Sequence, residues 1–178
     1  MIPRGFDPGE EERSIALEPY REKIASLEEV RKRRLDLKAL GKQVVFTNGC
    51  FDLLHPGHAR YLCQARALGD HLVVAVNSDR SVRSIKGPER PVMPQSARAE
   101  MIAALAFVDS VLIFDQDDPL MVIRALVPDV LVKGGDWEED RIIGADVVKE
   151  AGGRVVRIPF VEGFSTTGII EKLTAAGS

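Results

Sequence analysis

Two of the three histidines in this 178-residue chain, His55 and His58, stand three residues apart around Pro56-Gly57. Proline suits the first turn of a helix, and glycine lets the backbone come close to a ligand. A helix N-terminus there would present unpaired N–H groups, and the two imidazoles would add ring donors, so one phosphate group could be held from several sides. Two surface histidines beside a turn would be the plainer reading. Their concentration in the loop Thr47-Asn48-Gly49-Cys50-Phe51-Asp52-Leu53-Leu54-His55 favours a shared task. A zinc site from His55 and His58 with Cys50 or Asp52 can be drawn, but no second cluster supports it, and no residue is assigned as a metal ligand.

Other residues of the right chemical types recur downstream. Asn77, Ser78 and Asp79 precede Arg83, Lys86, Arg90 and Arg98, with Lys86 placed next to Gly87 as a lysine that closes over phosphates would be. Lys133-Gly134-Gly135-Asp136-Trp137 joins two glycines to a charged pair. Gly163-Phe164-Ser165-Thr166-Thr167 opens a short helical pattern through Ile169, Ile170 and Leu173. Capping accounts for one of those hydroxyls, and three in a row can also seat a phosphate.

The elements that must position these groups are legible as alternating patterns. Short β-branched runs lie at Val44 to Phe46, Leu72 to Val76, Val111 to Phe114, Val130 to Val132 and Val155 to Ile158. Helical periods fall between them, from His58 to Leu68, Ser96 to Phe107, Pro119 to Val127 and Arg141 to Ala151; in the second, Met101, Ile102 and Leu105 are expected on one face. Alternation of this kind predicts an α/β, doubly wound domain with a five-stranded parallel sheet, whose ligands bind beyond the carboxyl ends of the strands. Residues 1–18, rich in Glu, Pro, Gly and Arg, are expected to form a mobile tail. Residues 19–41 should add an N-terminal helix with Ile24, Leu27 and Val30 as its apolar stripe and Arg31-Lys32-Arg33-Arg34 as a solvated face. Residues 42–178 then form the main domain.

Composition narrows the function classes. Hydrophobic residues make up 45 % and charged residues 29 %, with a formal charge of -3, so no broad positive field would collect nucleic acid. No apolar run approaches the ~18 residues of a membrane span. Cys50 and Cys63 supply no disulfide framework, and the N-terminal stretch lacks the apolar core of a secretory signal, so a cytoplasmic location is expected. Neither G-x-G-x-x-G after a strand nor G-x-x-x-x-G-K-[ST] occurs, which argues against a dehydrogenase and a P-loop enzyme.

His55-Pro56-Gly57-His58 resembles the HxGH motif of the nucleotidyltransferase superfamily. TNGCFDLLHPGH from Thr47, VNSD from Val76, KGPERPV from Lys86, VKGGD from Val132 and FVEGFSTT from Phe160 together look most like the heptose 1-phosphate adenylyltransferases. That resemblance implies a Rossmann-like nucleotidyltransferase fold and transfer of AMP from ATP to a sugar 1-phosphate, with release of pyrophosphate. It implies His55, His58, Lys86 and Arg98 as the catalytic set. Nucleotide contacts would come from Asn48, Gly49, Cys50, Phe51, Gly57, Gly134, Gly135, Asp136, Ser165, Thr166 and Thr167. Asp52, Asn77, Asp79, Arg90 and Phe160 would face the sugar phosphate.

The resemblance further implies Mg²⁺ carried mainly on the nucleotide phosphates and a separate sugar kinase upstream; a homodimer is left open. Where glycerol-type cytidylyltransferases have an arginine, this chain has Phe160. A CTP enzyme acting on glycerol 3-phosphate and a non-catalytic nucleotide sensor are the competing readings.

Overall fold

In a computed structural model the described residues are 18–135, 141–159 and 163–176. The β-branched runs form five parallel strands: β1 (Val44–Gly49), β2 (His71–Asn77), β3 (Ser110–Phe114), β4 (Val130–Gly134) and β5 (Arg154–Ile158), ordered β3-β2-β1-β4-β5. Each runs close to the predicted segment and extends it by one to three residues. The helices are α1 (Leu27–Ala39), α2 (Pro56–Arg66), α3 (Asp79–Lys86), α4 (Gln95–Ala103), α5 (Leu120–Leu126), α6 (Ala145–Glu150) and α7 (Thr166–Ala176).

Alternate strand residues point to opposite faces, so a parallel sheet needs helices on both. Val45, Val74 and Val132 meet Leu62 and Ala65 of α2 and Ile102 of α4 in one cluster. Phe46, Ala75 and Leu131 meet Val30 of α1, Ile123 of α5 and Val148 of α6 in the other. The sheet is therefore doubly wound, and strand order reverses between β1 and β4. Ladder pairing is uneven at that reversal: β1 pairs β2 from Val44 to Gly49 but pairs β4 only through Val45–Val130 and Phe46–Leu131.

Several details depart from the sequence expectation. The single helix expected within residues 19–41 is a 3-10 turn at Pro19–Lys23 followed by α1. Ser26 starts α1 afresh by accepting from the Glu29 N–H, while Glu29 returns a bond to the Ser26 N–H at 2.7 Å. Between the two, Ile24 bridges to Val111 and the Ala25 N–H donates to the Val111 carbonyl at 2.9 Å, which covers the outer edge of β3.

The basic run is also not wholly a solvated face. Arg34 is buried and reaches Asp129 at 2.9 Å, and Arg33 donates to Ser110 Oγ at 2.7 Å, while Arg31 and Lys32 remain exposed. Met101 points outward rather than sharing the buried face of Ile102. α4 stops at Ala103 rather than Phe107, and α6 starts at Ala145 rather than Arg141. Helix α3 is absent from the helical periods read in the sequence: Ser78 caps it by accepting from Ser81 N–H at 3.1 Å, and Lys86 is its last residue.

Candidate active site

A cavity of about 560 Å³ opens beyond the carboxyl ends of β1 and β4, at the point where strand order reverses. Asn48 and Gly49 close β1 on one side of it, Lys133 and Gly134 close β4 on the other, and the His55–His58 loop runs across.

His55 is the N-cap of α2, with Pro56 in the first turn. The His58 N–H donates to the His55 carbonyl at 2.9 Å and is shared with His55 Nδ1 at 3.4 Å. That acceptance leaves the His55 ring proton on Nε2, where it can serve a ligand. A Cβ at Gly57 would sit 2.9 Å from His55 Nδ1, so only glycine lets the ring fold back over its own turn. The two imidazoles stack with centroids 3.8 Å apart, and Phe51, itself at φ 45°, meets His58 edge-on at 5.3 Å.

Burial and the neighbouring His55 push His58 down to about 4, against a weaker pull from the Leu53 carbonyl; burial also lowers His55. His58 Nδ1 is buried without a hydrogen-bond partner among the described residues. Both rings are thus neutral donors near pH 7 in the empty site, and an arriving phosphate would favour their protonated forms.

A lowered histidine pKa means that the unfolded chain takes up the proton first. Stability should therefore fall as pH drops from about 6.5 towards 4. Ring NMR titration of the free protein should show His58 neutral at pH 5 and shifted upward once a triphosphate is added; a His58 midpoint near 6.5 in the free protein would refute the burial argument.

The hydroxyl segment faces the same pair. Ser165 Oγ caps α7 by accepting from the Gly168 N–H at 3.0 Å, Thr166 donates to the Leu53 carbonyl at 3.4 Å, and Thr167 lines the cavity with them. Phe164 lies over His55 at 6.3 Å and under the Arg60 guanidinium at 5.8 Å.

Cys50, Phe51, Gly57, Lys86 and Arg90 also line the cavity, with Lys86 exposed at the end of α3. Asp52 lines it too, but its carboxylate accepts from Arg90 Nε at 2.6 Å and from the N–H groups of Val92 and Met93 at 2.8 and 3.0 Å. Burial would raise that carboxyl; the Met93, Val92 and Arg90 donors outweigh it and hold it below the usual range.

Other predicted site residues stand apart from the lining. Arg98 is wholly buried, donating from Nε to the Met93 carbonyl at 3.0 Å, from Nη1 to the Cys50 carbonyl, and from Nη2 to the Asn77 carbonyl and the Asp79 carboxylate at 2.8 Å each. Asn77 uses its amide on Ser81 Oγ at 2.9 Å. Gly135, at φ 95°, turns the chain after β4 with its N–H on the Ile158 carbonyl. Asp136, Trp137 and Phe160 lie outside the described residues, as do residues 1–17.

Sequence reasoning does not assign Tyr61, Lys133, Pro159 or Phe164 to the site, though all line the cavity. Tyr61 bonds Thr47 Oγ1 at 2.6 Å and the Val132 carbonyl at 3.3 Å, bridging β1 and β4 where their ladder has ended. Burial pushes its phenol up to about 12, against the Thr47 hydrogen bond. A signal existed: Tyr61 follows His58 by three residues on one helix and so shares its face.

A model of the family described as cytidylyltransferase-like matches residues 46–172. The chain belongs to that family. It carries an HxGH nucleotidyltransferase domain, with the doubly wound parallel sheet described above. The bifunctional protein HldE of Gluconobacter oxydans is 57 % identical over 138 residues, 78 % of this chain and 29 % of that one. HldE of Magnetococcus marinus is 49 % identical over 154 residues, 86 % of this chain and 32 % of the relative. The chain thus spans about 30 % of the length of these curated relatives.

The crystal structure of a lipopolysaccharide core biosynthesis protein from Thermoplasma volcanium superposes with TM-score 0.57 at 28 % identity, over 68 % of this chain and 98 % of that one. Pantoate-beta-alanine ligase from Francisella tularensis, at TM-score 0.55 and 14 % identity over 85 % and 76 % of the two chains, shares the fold.

Among the described residues no helix is long and apolar enough to cross a membrane.

Proposed function

We infer that this domain transfers AMP from ATP to a heptose 1-phosphate, giving ADP-heptose and pyrophosphate. The observation that carries the transfer chemistry is the stacked His55–His58 pair at the N-terminus of α2, lining one cavity with Ser165–Thr167. The choice of heptose is supported by the motif blocks and by the similarity to HldE and to a lipopolysaccharide core biosynthesis protein.

A sugar phosphate is nearly a dianion at neutral pH, its second pKa being about 6, so it attacks the α-phosphorus without an enzymic base. The work left to the protein is to bring two anions together and to stabilise the charge that gathers on the transferring group. His55 Nε2–H and the His58 ring would donate to α- and β-phosphate oxygens, with Thr167 as a further hydroxyl donor. Lys86, exposed at the rim, would neutralise the outgoing pyrophosphate.

Asn48, Gly49, Cys50, Phe51, Gly57 and Gly134 would shape the nucleotide's seat, and Gly135 would set the turn beneath it. Arg98 would act at one remove, by fixing the Cys50 carbonyl and thus the start of the loop.

A divalent cation would enter as part of the MgATP substrate. Among the described residues there is no group of three or more His, Cys, Asp or Glu side chains able to hold one, and Asp52 is already engaged by Arg90 and two N–H groups. The kinase that makes the sugar 1-phosphate would act before this domain.

A panel pairing ATP and CTP with heptose 1-phosphate and glycerol 3-phosphate, read by pyrophosphate release, tests the assignment. ATP with heptose 1-phosphate should exceed CTP with glycerol 3-phosphate by at least about tenfold in kcat/KM, a difference of about 1.4 kcal/mol. Equal turnover of the glycerol pair would sink the heptose assignment. Nucleotide binding without pyrophosphate release from any pair would point to a sensor.

A further inference from the structure

Four cations stand around Cys50 at the start of the His loop: Lys86, Arg90, Arg98 and Lys133. Arg98 gives its guanidinium to three carbonyls and Asp79, and Arg90 gives Nε to Asp52. Lys86 is exposed at the rim. Lys133 differs from all three. It is half-buried at the end of β4, lines the cavity, and among the described residues has one hydrogen bond, to Asn48 Oδ1 at 3.3 Å, with no carboxylate partner.

Holding an ammonium away from water beside a neutral amide is unfavourable, and burial pulls this amine below its usual value. An arrangement of that kind is relieved when an anion arrives.

Resting on the function proposed above, we propose that Lys133 receives the phosphate of the sugar 1-phosphate acceptor and holds it for attack on the nucleotide. In-line displacement puts the attacking and leaving oxygens on opposite sides of the α-phosphorus, so the two anions need separate positive poles. Groups from the late part of the loop, His55 and His58, together with Ser165–Thr167, form one pole. Lys133 lies at the early part, hydrogen-bonded to Asn48, and forms the other. A triphosphate tail that departs as pyrophosphate leaves by the rim, past Lys86. The acceptor phosphate ends covalently joined to AMP and belongs with the half-buried Lys133 rather than at the exposed rim. Asn48 would hold the amine in place until the phosphate takes over.

Lys133→Met keeps the length of the side chain and removes its charge; Lys133→Arg restores the charge. Kinetics and calorimetric titration with heptose 1-phosphate and, separately, with the non-hydrolysable ATP analogue AMP-PNP read the effect. In Lys133→Met the KM and Kd for the sugar phosphate should rise about 10- to 100-fold, as expected for losing a charged hydrogen bond, while those for ATP and AMP-PNP stay within about twofold. Lys133→Arg should recover part of the loss. The melting temperature of Lys133→Met without ligand should equal or exceed that of the wild type, which a merely structural lysine would not give.

Unchanged sugar-phosphate affinity, or an equal loss for the ATP analogue, overturns the assignment while leaving the transferase reading intact. Wild-type binding of the sugar phosphate that depends on Lys133 but yields no turnover keeps the assignment and overturns the proposed reaction. If the wild type binds no heptose 1-phosphate with or without AMP-PNP, both fall.

Discussion

Replacing His58 with alanine should cut kcat by about 10²-fold or more, with a much smaller change in melting temperature. A donor aimed at a developing oxyanion contributes about 2.7–4 kcal/mol to the barrier when the site is dry. The buried His58 Nδ1 has no partner among the described residues and the pull of the Leu53 carbonyl on the ring is weak, so the empty protein loses little side-chain hydrogen bonding there. His55→Ala should show a comparable loss of kcat. It also removes the N-cap of α2, at a cost of about 1 kcal/mol or less, because the 3.4 Å bond is long. The measurement is steady-state kinetics beside thermal melting. Near-normal turnover in either variant would remove that residue from the reaction; a collapse in melting temperature would make its role structural.

Arg98→Met should have the opposite signature, a large loss of stability with affinity for nucleotide kept in the molecules that still fold. The guanidinium is fully buried and ties the Cys50 carbonyl on the His loop to Asn77 at the end of β2, to Asp79 on α3 and to Met93 before α4. Removing it leaves several buried acceptors and one carboxylate without a donor, which costs about 3–5 kcal/mol for breaking a buried pair. For a domain of this size that corresponds to a fall in melting temperature of roughly 10 °C. Arg98→Lys should recover little, since one ammonium cannot span the acceptors that a planar fork reaches. An unchanged melting temperature with a raised KM for ATP would instead make Arg98 a direct phosphate ligand.

These two residues differ in how much of their setting is legible in the sequence. The five strands are legible because a parallel sheet buries both faces and so shows as β-branched runs. The His pair is legible because histidines are rare in the chain and sit beside Pro-Gly. Arg98 and Asp52 are legible only as charged residues near motifs. Whether a guanidinium meets a phosphate or four protein acceptors depends on chain crossings that spacing does not encode. Asn77 and Asp79 fall into the same class.

Helix α3 escapes because it is short and mostly polar, with Val82 as its buried apolar residue. Its visible signal was the Ser78 cap. Lys133 is visible in the VKGGD block, yet its lack of a charged partner among the described residues is a fact about three dimensions.

The uneven pairing of β1 with its two neighbours has a mechanical side. Six residues of β1 pair with β2, but two pair with β4, and beyond them side chains carry the link: Tyr61 from Thr47 to the Val132 carbonyl, and Lys133 to Asn48. The sheet is therefore two plates joined by a short weld and two side-chain rivets, with the cavity as the gap above the weld. A substrate that touches Asn48 on one plate and Gly134 on the other becomes a cross-brace. Occupancy of the site and rigidity of the sheet are then the same variable seen from two sides.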